Sequence, residues 1–194
     1  MTVTDPRSID PNDLSAIGVR WDLAPLLAEF AGVEEMLDAA DAIAEELVSN
    51  GRGRIAEMGA ANLAAFFRRY AALLDLAGRA GSYAGLVFAA DTSQPEHGAL
   101  MARVQERSTA ISTKLLFIDL EWAAASDEHV DAVLSDPDPA LDFVRHHLRS
   151  ERRYRDHVLT EPEERVLTEK SITGASAWGR LFDELCSAME VEIR

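Results

Sequence analysis

Residues 95–125 constrain the fold more than any other segment, because their apolar side chains recur at helical spacing throughout. The stripe consists of Leu100, Val104, Ile111, Leu115, Ile118 and Trp122. As a single helix the segment extends about 45 Å, at 1.5 Å per residue. Beyond Ile111 almost every side is apolar, which is typical of a helix that others enclose. The pattern predicts a multi-helix lobe built around one long central helix.

Two helices are predicted before this segment, each with apolar residues three and four positions apart. The first carries Val33, Met36, Leu37, Ala40, Ile43 and Leu47. Asn50-Gly51 supplies its stop, because glycine readily ends a helix. The second carries Leu63, Phe66, Phe67, Tyr70 and Leu74. The Arg68-Arg69 pair faces away from this stripe, and Gly78 and Gly81 are predicted to interrupt or bend the helix.

Capping residues mark the starts of several helices. Ser93 precedes Glu96 by one helical turn, which predicts a capping box at the start of the central helix. Thr160 and Glu163 repeat the pattern further along the chain. Ser126 can cap a short helix that ends before the two prolines of residues 136–139.

The C-terminal part predicts two more apolar stripes. One begins with Leu141, Val144 and Leu148. The other follows Thr173-Gly174 and carries Trp178, Leu181, Phe182 and Leu185. Val191 and Ile193 suggest a strand without a partner, and residues 1–20 lack periodicity, so they are predicted to be a flexible lead-in. The expected fold class is therefore all-α, with a helical lobe over residues 21–194 that ends in a short orphan strand.

Composition narrows the classes of function. The chain has 34 acidic and 19 basic residues, a net charge of −15, which disfavours binding to nucleic acid or anionic lipid. Its single cysteine, Cys186, allows no intrachain disulfide, so we expect a reducing cytoplasm as its location. The longest apolar run, near residues 83–90, is far shorter than the ~20 residues of a membrane span.

No metal centre is predicted from the histidines. None of His97, His129, His146, His147 and His157 lies four residues from another, and neither H-E-x-x-H nor Glu-x-x-His occurs. His146 and His147 are neighbours, so on a helix they point about 100° apart and cannot share a metal. Asp142 with His146, and His147 with Glu151, are most simply solvated ion pairs on a helix face. We therefore assign no catalytic residue and no metal ligand.

Nucleophilic and phosphate-binding motifs are absent too. Cys186 lies in an amphipathic helix and is interpreted as a buried structural thiol. No G-x-S-x-G elbow, P-loop or G-x-G-x-x-G motif occurs. Residues 51–54, Gly-Arg-Gly-Arg, are most simply an interhelical loop, with a phosphate site as the alternative. Trp122 and Trp178 lie on apolar stripes and are predicted to be core.

An arginine cluster stands out against the acidic composition. It consists of Arg145, Arg149, Arg152, Arg153 and Arg155. The favoured interpretation is a solvated face paired with Glu151, Asp156 and Glu161. The alternative is a strip whose guanidinium groups hold an acidic side chain or a peptide C-terminus. The residues that bind substrate stay unknown at this point.

Several short motifs resemble one peptidase family in order and spacing. They are Trp21-Asp22-Leu23, the run Phe88 to Thr92, the run Leu115 to Trp122, and the stretch from Leu159 to Leu185. The last is the most specific: Glu161-Pro162-Glu163-Glu164 is followed by Lys170, Thr173-Gly174, Ala177-Trp178 and Arg180-Leu181-Phe182. Together they look like the N-terminal helical region of oligoendopeptidase F-type enzymes, relatives of thimet oligopeptidase.

The resemblance implies a cytoplasmic zinc metallopeptidase that cleaves short peptides in a deep cleft between two helical lobes. In the family, zinc lies on H-E-x-x-H plus a downstream Glu, and the motif's Glu activates water. Those residues belong to the later part of the family's sequence, so none of them transfers to a position here. We expect the complete enzyme to need zinc and an oligopeptide substrate, and this chain alone to be a non-catalytic lobe.

A different class of function stays open: a self-standing helical interaction or scaffold protein. The two hypotheses differ in surface chemistry. A detached lobe should expose an apolar face that its missing half covers, so self-association is expected. A complete scaffold should have a polar exterior and stay monodisperse.

Overall fold

The computed structural model describes residues 21–189, which form α-helices and 3₁₀ turns with no β-strand among them. The helices are α1 Ala31–Gly51, α2 Ala60–Ala90, α3 Pro95–Leu115, α4 Phe117–Ala124, α5 Asp127–Ser135, α6 Asp142–Glu151, α7 Glu161–Ser171 and α8 Ala175–Ser187. The 3₁₀ turns are Ile55–Glu57, Pro139–Leu141 and Arg152–His157. The predicted all-α class is confirmed. The predicted lead-in over residues 1–20 and the predicted strand near Val191 lie outside the described residues.

Helices α1, α2 and α3 pack against one another and form the main bundle. Near the first turns of α1, a cluster of buried residues joins Val33 and Leu37 to Leu100 and Val104 of α3. A larger core joins the other half of α1 and the start of α2 to α4, α5 and α6. The predicted stripe of α1 is thus confirmed as a core face, because its residues are buried or partly buried there.

The stripe of α2 differs from the prediction at its last residue. Leu73 is buried, whereas the predicted Leu74 is 51% exposed. Helix α2 also continues unbroken through Gly78 and Gly81 to Ala90, so the predicted interruption is wrong. Each glycine within a helix costs about 1 kcal/mol relative to alanine. Burial of the neighbouring Ala80, Tyr83 and Ala84 outweighs that cost.

The predicted central helix is divided at Leu116. Helix α3 ends at Leu115 and α4 begins at Phe117, although Leu116 itself keeps right-handed helical dihedral angles. The side chains of Leu115, Phe117, Ile118 and Trp122 are all buried. The apolar run is therefore central, as predicted, but it belongs to two consecutive helices and not to one long helix.

The loop after α1 is organised by one carboxylate. Gly53 has φ +76°, a left-handed conformation that favours glycine, whereas the predicted stop residue Gly51 is still helical. Glu121 of α4 accepts hydrogen bonds from the backbone N–H groups of Gly53 at 2.6 Å and Ile55 at 3.0 Å. A Cβ at Gly51 would overlap the Phe66 ring, so this position needs glycine for space. The phosphate alternative is disfavoured, because the protein's own Glu121 occupies these N–H donors.

The capping predictions have different outcomes. Thr160 and Glu163 form the predicted capping box, and the Thr160 N–H lies 3.0 Å from Glu163 Oε2. Ser126 Oγ accepts from the His129 N–H at 3.2 Å, as predicted for α5. The box at Ser93 is wrong, because the Ser93 N–H and hydroxyl both donate to Asp91 at 3.0 and 2.6 Å. Asp91, just before it in the chain, organises this start instead.

None of the helices in the described part of the chain is both long and apolar enough to cross a membrane.

Candidate functional site

Helices α7 and α8 differ from the other α-helices of the described chain, because neither of them contains a buried residue. On α8 the exposed residues Trp178, Leu181, Phe182 and Leu185 follow helical spacing, and we call them the α8 stripe. Val166 and Leu167 of α7 are 55% and 57% exposed as well. Contiguous exposed apolar surface of this kind marks interaction sites in proteins. The two helices therefore carry a candidate interaction surface.

Two predictions of burial are wrong in this region. Trp178 is 71% exposed, so it does not belong to the core of this chain. Cys186 is exposed rather than a buried structural thiol. Both residues lie on α8, which packs only lightly on α7 and presents its apolar side to solvent. Helical spacing identified the apolar face correctly but could not show what covers it.

Trp122 has the buried position that the sequence predicts. Its side chain is 2% exposed, and the indole Nε1–H donates to the carbonyl oxygen of Leu148 at 2.9 Å. This bond joins α4 to the last turn of α6 and satisfies the indole donor. Glu121, the residue before Trp122, accepts a hydrogen bond from the Gly53 N–H. Two adjacent residues of the run Leu115 to Trp122 therefore have structural roles.

Arg145 and Arg152 are structural residues and not members of a solvated face. Arg145 donates to the carbonyl oxygens of Leu134, Asp136 and Asp138 and pairs with Asp142 at 3.0 Å. It thereby supplies donors to the carbonyl groups at the end of α5 and in the proline-containing connection. Asp142 bonds to Arg145 here, whereas the predicted Asp142–His146 pair is not among the ion pairs of the described residues.

Arg152 performs the same task at the end of α4. Its guanidinium donates to the carbonyl oxygens of Trp122, Ala123 and Ala125 at 2.7–3.0 Å and also bonds to Asp127. These hydrogen bonds from Arg152, followed by the charge of Arg155 at 2.8 Å, lower the pKa of the Asp127 carboxyl. Arg155 also lies 3.6 Å from Asp156, as the solvated interpretation predicted.

Arg149 is left facing a groove between α5 and α6. The cavity has a volume of about 570 Å³, and its lining includes Asp127, Val130, Asp131, Leu134, Arg149 and Arg152. Val130 and Leu134 form its apolar floor, with Val130 buried. Among residues 21–189, neither Arg149 nor Asp131 makes a side-chain hydrogen bond or an ion pair. Arg149 is therefore the arginine of the cluster that both lines this groove and lacks a partner among the described residues, and the carboxylate-binding alternative narrows to it.

A second groove lies between α2 and α3, with a volume of about 240 Å³. Loss of hydration is the main reason why the pKa of Tyr70 is raised to about 12, and Asp119 and Glu151 add to this increase. Asp119 is exposed as a residue, yet its carboxyl group faces this groove, and desolvation followed by Glu151 raises its pKa. The sequence did not indicate that Tyr70 and Asp119 lie together, because Tyr70 was recognised only as a member of the apolar stripe of α2.

The histidines are dispersed over the described chain. His97 Nδ1 lies 2.9 Å from the Asp91 carbonyl oxygen, and His129 Nε2 lies 3.1 Å from that of Met58. His147 Nδ1 lies 3.7 Å from Glu151 Oε1, so the predicted pair of these residues is confirmed. Within residues 21–189, no three His, Cys, Asp or Glu side chains converge as metal ligands. The donor set of this part of the chain therefore does not fit a catalytic zinc ion.

Comparison with known proteins identifies the C-terminal part of the chain. Residues 121–190 match the model of the N-terminal region of the M3 peptidases, described as Oligopeptidase F. No curated protein and no solved structure matches the chain. The matched segment includes Glu121, Trp122, the arginine cluster and the α8 stripe. The resemblance drawn from the sequence is thus confirmed for residues 121–190, which are similar to the N-terminal region of oligopeptidase F-type peptidases.

Proposed function

We propose that residues 21–194 are the N-terminal helical lobe of a zinc-dependent oligoendopeptidase and form one wall of its peptide-binding cleft. The match of residues 121–190 to the Oligopeptidase F model carries this proposal. The complete enzyme would act in the cytoplasm and hydrolyse peptide bonds in short peptides, because a cleft between lobes admits oligopeptides more readily than folded proteins.

Zinc chemistry would come from outside this chain's residues. The sequence has no H-E-x-x-H motif, and the described side chains do not converge on a metal position. In the complete enzyme the zinc would lower the pKa of a bound water and polarise the scissile carbonyl group. The contribution of this lobe is positional: it supplies a wall, and its helices exclude solvent from one side of the cleft.

The α8 stripe would be the contact to the zinc-bearing part. Its four apolar side chains lie inside the matched segment, and Trp178 and Phe182 are 71% and 66% exposed. Aromatic side chains of this size each bury about 150–250 Å², so covering them gives a large hydrophobic contribution. Exposure of this stripe disfavours the scaffold hypothesis, which requires a polar exterior.

The test combines the purified chain with an H-E-x-x-H-bearing region of an oligoendopeptidase F enzyme, supplied as a separate polypeptide. We expect the chain alone to bind no stoichiometric zinc and to leave a quenched fluorescent peptide intact. Mixed with the zinc-bearing region, it should co-elute and increase the rate of cleavage. Stoichiometric zinc with turnover by the pure chain would contradict the proposal, and so would a rate that the chain does not change.

Matched variants localise the contact. Trp178→Asp should abolish co-elution, because a carboxylate replaces the most exposed aromatic of the stripe. Leu74→Asp is the control, since Leu74 is also a half-exposed apolar residue but lies on α2, outside the matched segment. Light scattering on the chain alone should show self-association that Trp178→Asp reduces and Leu74→Asp leaves unchanged. Equal effects of the two variants would remove the α8 stripe from the proposal.

A further inference from the structure

We propose that the groove between α5 and α6 binds the C-terminal carboxylate of a short peptide, with Arg149 as its ligand. The groove measures about 570 Å³, within the roughly 300–1,000 Å³ of small-ligand sites. Its lining combines two guanidinium groups, Arg149 and Arg152, with the carboxylates of Asp127 and Asp131 and two aliphatic side chains. None of these features belongs to the α8 stripe, so this site is distinct from the interlobe contact.

Arg149 is the arginine that the structure leaves available in this groove. Arg152, which also lines it, already donates to three backbone carbonyl oxygens and to Asp127. Within the described part of the chain, the Arg149 guanidinium has no hydrogen bond and no ion pair. An incoming carboxylate could therefore take a bidentate bond from Arg149 without breaking an existing interaction.

Local charge favours an anion here despite the acidity of the chain. The protein carries a net charge of −15, which repels anions from most of its surface. Arg152 and Arg155 neutralise Asp127, and the groove lining also contains the positive charge of Arg149 and the negative charge of Asp131. Asp131 penalises a second negative charge, so the groove suits a carboxylate, with one charge, better than a phosphate.

The floor determines what accompanies the carboxylate. Val130 and Leu134 lie one turn apart on α5 and contribute aliphatic side chains to the groove lining. A C-terminal residue with an aliphatic side chain would bury it there while its carboxylate reaches Arg149. The inference that a peptide carries this carboxylate rests on the proposed function. The inference that the groove binds a carboxylate beside an aliphatic side chain does not depend on that proposal.

The experiment measures binding of the tripeptide Ala-Ala-Leu to the purified chain by isothermal titration and by NMR amide shifts. We expect saturable binding of the free acid, with the largest shifts in α5 and α6. Amidation of the C-terminus should weaken binding at least about tenfold, because the charged hydrogen bond is lost. Arg149→Gln should have the same effect, and inorganic phosphate should not displace the peptide.

Arg153→Gln is the matched control, because Arg153 is an exposed arginine of the same cluster that does not line the groove. It should leave the affinity unchanged, and both variants should keep the wild-type melting temperature. Absent binding, equal affinity for the amide, or an unchanged affinity in Arg149→Gln would overturn the inference. Binding requires neither zinc nor turnover, so loss of complementation with retained peptide binding would count against the proposed function alone.

Discussion

The bundle of α1, α2 and α3 and the pair α7 and α8 have similar amphipathic patterns but opposite surroundings. In the bundle the apolar stripes face one another and are buried. In α7 and α8 no residue is buried, and the α8 stripe faces solvent. The comparison shows that periodicity defines which face of a helix is apolar, while neighbouring elements decide whether that face is covered.

Charged residues close the bundle on its outer side. Arg107 of α3 bonds to Glu34 at 3.0 Å and to Asp38 at 2.7 Å, and Lys114 bonds to Asp41 and Glu45 further along α1. These pairs are exposed enough that each contributes only about 0.2–1 kcal/mol. Their value is in fixing the register of α1 against α3 while apolar burial supplies most of the stability.

Replacing each of the two tryptophans with alanine is the most direct test of this difference in burial. Trp122→Ala should cost about 3–5 kcal/mol, because it leaves a cavity and removes the donor to the Leu148 carbonyl oxygen. At concentrations where light scattering shows a monomer, Trp178→Ala should change the free energy of unfolding by no more than about 0.5 kcal/mol, since the side chain is mostly exposed. Urea unfolding of both variants measures the difference. Similar losses in both would mean that α8 is covered in solution.

The groove beside Tyr70 provides a test through pH. The pKa of Tyr70 is raised from the ordinary 10.0 to about 12, so the folded chain holds the phenol proton more tightly than the unfolded chain does. This contribution to stability is present below pH 10 and is lost as the pH rises from 10 through 12. It amounts to about 2–3 kcal/mol, because each tenfold difference in proton affinity between the two states corresponds to about 1.4 kcal/mol.

Comparison with Tyr70→Phe isolates that contribution. The phenylalanine cannot ionise, so the stability of wild type relative to the variant should fall between about pH 10 and about pH 12. Urea midpoints at each pH provide the measurement. Asp119→Asn should lower the pKa of Tyr70, since Asp119 is the charged group that raises it most. A constant difference between wild type and Tyr70→Phe across this range would contradict the raised pKa.

The smallest of these effects concerns Arg152 and its hydrogen bonds to the end of α4. Arg152→Met keeps much of the aliphatic stem but removes the donors to three carbonyl oxygens at the end of α4, at a cost of about 1–2 kcal/mol. It should also raise the pKa of Asp127 toward its ordinary value, because the hydrogen bond from Arg152 is the main cause of its lowering. Carboxyl NMR titration detects this change, and Arg153→Met should produce neither effect.

The Asp127 carboxylate has the opposite pH dependence to Tyr70. Its pKa is lowered in the folded chain, so its contribution to stability is present above the pKa of the unfolded chain. The contribution is lost as the pH falls through the folded value. Acid unfolding should therefore begin at a higher pH in Arg152→Met than in wild type.

Local sequence predicted helix starts well where one capping residue had no competitor. Thr160 forms its box with Glu163, whereas Ser93 bonds to Asp91 instead of to the start of α3. Both sites have the same sequence pattern, and the difference is that Asp91, two residues before Ser93, accepts from both the N–H and the hydroxyl of Ser93. The loop after α1 depends on a contact that is distant in sequence, because the Gly53 N–H donates to Glu121, which is 68 residues away.

The arginine cluster shows how far residue spacing alone could define a candidate site. Spacing placed its members on nearby helix positions, but the binding partners of Arg145 and Arg152 are backbone carbonyl groups at the ends of α5 and α4. Such partners depend on where other helices end, which no local pattern contains. The structure therefore separates Arg149, which lines the groove without a partner among the described residues, from two structural arginines.

The all-α class, the apolar face of nearly every helix and the similarity of residues 121–190 to oligopeptidase F could be predicted from the sequence, because they depend on periodicity, capping residues and motif order. Three features became clear only in the folded structure: Trp178 is exposed, the central segment divides at Leu116, and Glu121 accepts from the backbone N–H groups of the loop after α1. The physical reason is that burial and hydrogen-bond partnership are relations between distant segments. A helical stripe specifies one side of such a contact, and the fold supplies the other.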